Sequence, residues 1–247
     1  MTSYPNVKIN LGLNVLRRRD DGFHDIETLF VPCHAFHDTL DIVRSDELRF
    51  IADVPWKNDL TVQAYGLLKE EFDIPPVEIR LIKGSPVGAG LGGGSADAAF
   101  ALRSLNELFS LGLDDGALAE RAARLGSDCA FFIYDRPMLG TGRGEVLEPF
   151  DIPLDGYEIK VEVPAGVSVS TAEAYRGITP SIPEIPLREA LAQPVGRWKD
   201  LVRNDFETTV FALHPEITAL KQRFYDEGAV YASMSGSGSS VFGIFSK

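Results

Sequence analysis

Cationic side chains are scarce in this sequence: 24 lysines and arginines stand against 36 aspartates and glutamates, a formal net charge of −12. That balance argues against nucleic acid as a main partner, because such binding draws on clustered Lys and Arg. A small phosphorylated ligand stays possible, since helix ends, backbone N–H groups and a magnesium ion hold phosphate locally. Cysteine is scarcer still. Cys33 and Cys129 supply neither a disulfide framework nor clustered metal ligands, so a reducing compartment, the cytoplasm, is expected. No apolar run reaches the length of about eighteen residues that a membrane helix needs. Lys8, Asn10 and Asn14 interrupt the first apolar stretch, so no signal peptide is read there. The one dense basic run, residues 17–19, is answered at once by Asp20 and Asp21 and reads as a solvated tip.

What is present suits a globular protein. Hydrophobic residues make up 45% of 247, enough for one large domain or two smaller ones with a real core. Glycine is concentrated in one stretch, at positions 84, 88, 90, 92, 93 and 94. Glycine costs backbone entropy, so such crowding belongs where backbone turns tightly or approaches something closely. Ala98, Ala101, Leu102, Leu105 and Leu108 then recur at helical spacing, which predicts a helix over 95–108 with Asp97 in its first turn. A glycine-rich loop running into a helix N-terminus can bind an anion, phosphate above all; the plainer alternative is a surface loop. The lysine that a P-loop requires after its glycines is missing, and no acidic partner completes a dinucleotide fingerprint.

Along the rest of the chain, residues 7–16 alternate, which predicts a half-buried strand with Lys8, Asn10 and Asn14 on its polar face. A turn at 20–22 brings Phe23 and His24 to the start of a returning strand; by pattern alone they read as core edge and surface turn. Pro55 to Asn58 breaks the chain, and Asp59 caps a helix bearing Leu60, Ala64, Leu67, Leu68 and Phe72. Short strands are expected at 40–43, 48–51 and 77–81, and a helix over 115–125 closed by Gly126. Asp128, just before an apolar segment, reads most simply as a helix cap. A domain break is expected near 149–155, giving parts 1–150 and 151–247. The second part should hold a strand at 157–163, helices at 187–192, 197–212 and 215–227, and a small-residue turn at 233–240 ahead of a last strand.

Several segments together then resemble a known family. They are Lys8-Ile9-Asn10-Leu11, Asp21-Gly22-Phe23-His24, Leu125-Gly126-Ser127-Asp128, Asn204-Asp205-Phe206-Glu207, Met234-Ser235-Gly236-Ser237-Gly238-Ser239 and the long glycine motif from Pro86 through Ala99. The chain resembles, over nearly its whole length, the small-molecule kinase superfamily of galactokinase, homoserine kinase, mevalonate kinase and phosphomevalonate kinase. That resemblance implies a two-domain α+β fold. The N-terminal half would be like the second domain of a small-subunit ribosomal protein, the C-terminal half a ferredoxin-like α/β sandwich. It implies ATP and Mg2+, with no metal ligand assigned. Asn58, Pro86, Gly88, Gly90, Leu91, Gly92, Gly93, Gly94, Ser95 and Ala96 would hold the nucleotide, Ser95 either reaching a phosphate or metal or merely capping its helix.

Under the same resemblance Asp128 accepts the proton of the acceptor alcohol, while Lys8 orients Asp128 and stabilises developing charge. The 21–24 segment marks a branch whose acceptor is a small molecule linked to cytidine diphosphate. Asn10 would orient it, and Phe23, His24 and Tyr175 would hold the cytosine. The branch more often has tyrosine where Phe23 stands; the lost hydroxyl leaves stacking intact. A homoserine or mevalonate-type acceptor, or a catalytically silent nucleotide-binding regulator, are the alternatives. Partners are expected to be small molecules, without nucleic acid or membrane, and the assembly is left open between monomer and weak homodimer.

Overall fold

The computed structural model describes residues 1–54 and 57–247. The break read at 55–58 therefore falls in part, at Pro55 and Trp56, outside the described residues. In chain order, strands β1 (Thr2–Ser3), β2 (Asn6–Arg18), β3 (His24–His37), β4 (Thr39–Arg44) and β5 (Arg49–Ala52) precede helix α1 (Leu60–Phe72) and strand β6 (Val77–Ile82). Helices α2 (Gly93–Phe109), α3 (Asp115–Leu125) and α4 (Cys129–Tyr134) follow. Strands β7 (Met138–Thr141), β8 (Val146–Pro149) and β9 (Tyr157–Glu162) lead into α5 (Thr171–Arg176), α6 (Leu187–Leu191), α7 (Trp198–Leu201), α8 (Phe206–Leu213) and α9 (Pro215–Asp226). Strands β10 (Tyr231–Met234) and β11 (Val241–Ser246) come last.

Contacts divide the chain into two compact units that interleave in sequence. Unit one holds Met1–Val7, Phe36–Val87 and Gly92–Arg136; unit two holds Lys8–Ala35, Gly88–Leu91 and Pro137–Lys247.

Unit one is built on a sheet of order β1-β4-β6-β5. Leu40 faces Leu81 and Ile42 faces Ile79 across the antiparallel β4–β6 pair, and all four are buried. Helices α1 and α2 pack against each other, and α2 also contacts β4. Alanines 96, 98, 99 and 101 with Leu102 and Leu105 form the buried face of α2; small side chains let neighbouring backbones approach. Asp59 caps α1 as expected, its carboxylate accepting from the Thr61 N–H at 2.8 Å.

Unit two contains the sheet β2-β3-β7-β8 and the antiparallel sheet β10-β11-β9. Its core gathers Leu13, Val15 and Ile26 with Val169, Phe206, Val210, Phe224, Met234 and Val241. Two expectations change here. Strand β2 is buried on both faces from Asn6 to Val15, with Gly90 O and the Thr28 and Ser235 hydroxyls meeting Lys8 and Asn10 on its polar side. The helix expected over 197–212 is broken at 202–205. There Leu13 N–H donates to Arg203 O at 2.8 Å and Asp205 N–H to Leu13 O at 2.9 Å. Asn204 meanwhile gives its amide to the carbonyls of Met234 and Gly236, each at 2.8 Å. Pairing with another strand outcompetes a local helix.

Candidate active site

The glycine stretch takes the form its composition demands. Gly90 sits at φ +77°, and a Cβ there would lie 2.2 Å from Ser235 O and 3.0 Å from Gly238 O. Backbone meets backbone, so only glycine fits. Helix α2 begins at Gly93, two residues earlier than its apolar periodicity indicates, which puts Asp97 beyond the first turn. Its N-cap is Gly92, left-handed at φ +74°, and no side chain caps it. Ser95 is therefore not the helix cap. The first-turn N–H groups of Gly93, Gly94 and Ser95 have no partner within the helix, and the helix dipole adds partial positive charge there. Such an end can take phosphate oxygens. Within the stretch Gly94 is exposed, Pro86 half-buried, and Leu91 and Ala96 buried.

Lys8 and Asn10 meet the loop's middle, all within unit two. The Lys8 ammonium donates to Gly90 O at 2.9 Å and to the Asn10 side-chain oxygen, and it stands 5.6 Å from the Phe30 ring centroid. Its backbone N–H donates to Leu91 O at 2.9 Å. Asn10 donates through Nδ2 to Thr28 Oγ1 at 3.0 Å and through its backbone N–H to Ser235 Oγ at 3.1 Å. Ser235 Oγ donates in turn to Gly90 O at 3.1 Å. A buried ammonium and a hydroxyl thus converge on one carbonyl of the glycine stretch.

Asp128 belongs to unit one. It precedes α4 in helical conformation and its side chain makes no cap bond, so the cap reading does not hold for the carboxylate. The Ser127 hydroxyl donates to Asp128 Oδ1 at 3.2 Å. The neighbouring Cys129 thiol is pushed up to about 12, first by burial and further by the Asp128 charge, against the Ser95 hydrogen bond; it is no thiolate nucleophile at neutral pH. Asn58, also in unit one, is exposed and left-handed at φ +62°, its carbonyl accepting from Gln63 Nε2 at 2.7 Å.

The aromatic residues gather in unit two. His24 and Tyr175 stack with ring centroids 4.6 Å apart and planes at 17°. Tyr175 also meets Phe206 edge-on at 4.7 Å. Burial, helped by the Arg18 charge, lowers the His24 pKa, so its ring is neutral at pH 7. Phe23 is 55% exposed and carries the Arg143 guanidinium 5.0 Å from its centroid, an arrangement of the cation–π kind. Arg143 had no signal in the sequence beyond its place among Gly140, Gly142 and Gly144.

Sequence reading also missed a buried ion cluster in unit one. Lys83 Nζ donates to Asp97 Oδ2 at 2.6 Å and to Asp38 Oδ2. A signal existed: Lys83 continues the inward phase of Val77, Ile79 and Leu81. Among the described residues no group of three His, Cys, Asp or Glu side chains could hold a metal. Magnesium needs no such cage, because it keeps its waters and binds largely through substrate phosphates. Among the described residues no helix is long and apolar enough to cross a membrane.

Residues 59–136 match the GHMP kinases N terminal domain and residues 187–247 the GHMP kinases C terminal family. A 4-diphosphocytidyl-2-C-methyl-D-erythritol kinase of Parabacteroides distasonis is 47% identical over 252 residues, covering 100% of this chain and 92% of the relative. A kinase of the same description from Bacteroides fragilis is 48% identical over 256 residues, with the same shares covered. A crystal structure of 4-(cytidine 5'-diphospho)-2C-methyl-D-erythritol kinase matches with a TM-score of 0.81 at 34% identity, over 98% of this chain and 89% of that one. Homoserine kinase from Cytophaga hutchinsonii shares the fold, with a TM-score of 0.65 at 18% identity over 98% of this chain and 86% of that one.

Proposed function

The chain belongs to the GHMP kinase family, and from that membership we propose an ATP-dependent kinase acting on the C2 hydroxyl of 4-diphosphocytidyl-2-C-methyl-D-erythritol. The products are the 2-phosphate and ADP, a step of non-mevalonate isoprenoid precursor synthesis in the cytoplasm. The observation that carries this reading is full-length identity of 47–48% to kinases of that description. The uncapped start of α2 after a glycine loop supports the nucleotide half of it.

In this reading the first-turn amides of α2 bind the ATP phosphates. The acceptor oxygen bonds to the γ-phosphorus while the bond from that phosphorus to the ADP oxygen breaks. Asp128 takes the proton the alcohol loses, and Lys8 stabilises the charge gathering on the transferred group. Asn10 orients the acceptor, and Phe23, His24 and Tyr175 hold its cytosine. Mg2+ supplies charge neutralisation of the phosphates when bound, with Ser95 the side chain of this chain that would join it.

The test is an assay of ATP-dependent phosphorylation of the diphosphocytidyl substrate beside homoserine, mevalonate and galactose. Exclusive use of the cytidine compound is expected; turnover of another acceptor in its place refutes the substrate. In the same assay Asp128→Asn and Lys8→Ala should keep ATP binding and lose turnover by about 10²-fold or more. Activity within a few-fold of the parent removes that residue from the chemistry.

A further inference from the structure

Three ionisable side chains that the proposed mechanism leaves unused are buried together in unit one. The Lys83 side chain is 8% exposed, Asp38 0% and Asp97 4%. Asp38 accepts at one oxygen from the N–H groups of Gly84 at 2.8 Å and Ser85 at 2.7 Å. Its other oxygen takes the Ser85 hydroxyl at 2.9 Å and the Lys83 ammonium. From there Lys83 reaches Asp97 Oδ2 at 2.6 Å, on helix α2. The residues that lead into the glycine stretch are thereby joined, through one ammonium, to the helix that leads out of it. Ser85 Oγ lies 2.5 Å from where a Gly93 side chain would begin, so the two ends also touch directly.

Stability alone does not account for this arrangement. Replacing a buried ion cluster by apolar groups of like volume is often neutral or stabilising. Asp97 Oδ1, moreover, has no hydrogen-bond partner among the described residues, and an unmet buried polar atom is a net cost. A cluster retained at such a cost fits a requirement for geometry.

We propose that Lys83, with Asp38 and Asp97, is a positioning residue for phosphoryl transfer: it fixes Gly84 and Ser85 against α2 so that the free amides of residues 93–95 are held ready for the ATP phosphates. This rests on the kinase reading above. The tie acts on the nucleotide and not on the acceptor, which separates it from a general packing role.

Asp97→Leu in the full chain cuts the tie to α2 and leaves the Lys83–Asp38 pair intact. The variant should stay folded, raise KM for ATP about tenfold and leave KM for the cytidine substrate within about twofold. Amide hydrogen exchange at residues 96–99, whose N–H groups are bonded within α2 from Ala96 onward, should quicken without global unfolding. Asp97→Asn, which keeps an oxygen for Lys83 to bond, should restore KM for ATP toward the parent. Asp97→Ala is read in the same way and covers the case in which leucine does not fit. A folded variant with the parental KM for ATP overturns the proposal, and so does parental exchange at 96–99. If the parent itself phosphorylates nothing, the kinase reading falls, and the exchange measurement alone still judges the tie.

Discussion

Asp97 has an ordinary carboxyl group in a setting that changes its chemistry. Burial raises its pKa to about 8, the Lys83 ammonium opposes that rise, and the Asp38 charge adds to it. Asp38 moves the other way. Burial works against its ionisation too, but the Lys83 and Ser85 donors outweigh burial and hold it below the usual carboxylate range. The sign for Asp97 follows from proton counting. Between about pH 4, where an unfolded aspartate titrates, and about pH 8, the folded chain holds a proton that the unfolded chain has lost. Its contribution to stability is therefore fully present below about pH 4 and is lost as pH rises through about 8. Asp97→Asn cannot titrate and should be spared that loss. In urea unfolding, the midpoint of the variant minus that of the parent should climb between about pH 5 and about pH 8 and level off above it. A difference that stays flat across that range would show Asp97 ionising as it does in water.

Helix α2 invites a comparison of two glycines, one in its first turn and one in the loop before it. Gly94 lies inside the helix, and a methyl group there would meet nothing within 4 Å. Gly94→Ala should therefore stabilise the fold by about 0.5–1 kcal/mol through helix propensity, yet weaken ATP binding by placing a methyl beside the phosphate-facing amides. Gly90→Ala should lose both, because its Cβ would strike Ser235 O and its backbone is left-handed. Thermal melts and ATP titration separate the outcomes; a Gly94→Ala protein with higher stability and undiminished ATP affinity would end the phosphate reading of this helix end. The contrast also shows what the sequence could disclose. The alternation over 7–16, the Asp59 cap and the Gly126 stop predicted β2, α1 and α3, because those signals are local. Helix α2 starts two residues before its apolar periodicity does, since glycine has poor helix propensity and Gly93 and Gly94 read as loop. The break at 202–205 was invisible because its cause, pairing with Leu13 and the Asn204 bonds to Met234 and Gly236, lies far off in sequence. Lys8 and Asn10 were legible as polar residues in an apolar strand. Lys83 was legible in phase but went unread, because lysine at a strand end normally means solvent.

At the scale of the whole molecule, the interleaving of the two units decides what can fold alone. A cut at residue 150 leaves residues 151–247 with β9, β10, β11 and the helices from α5 onward, but without β2, β3, β7 and β8. The core those helices close over includes Leu13, Val15 and Ile26 from the missing strands. Full burial of such side chains is worth about 1.5–3 kcal/mol each, so losing the three removes a sum comparable to the net stability of about 5–15 kcal/mol that a domain has. Polar partners go with them. Asp205 Oδ2 loses the Val15 N–H at 2.7 Å, and the backbone at Arg203 and Asp205 loses Leu13. Buried polar groups left unmet add to the deficit. The fragment 151–247 should accordingly show no cooperative urea transition and collapsed amide dispersion by NMR. Supplying the missing strands, by co-expressing residues 1–150, should restore a single transition. A cooperative transition in 151–247 alone would mean that the strands before residue 35 decorate unit two and do not build it.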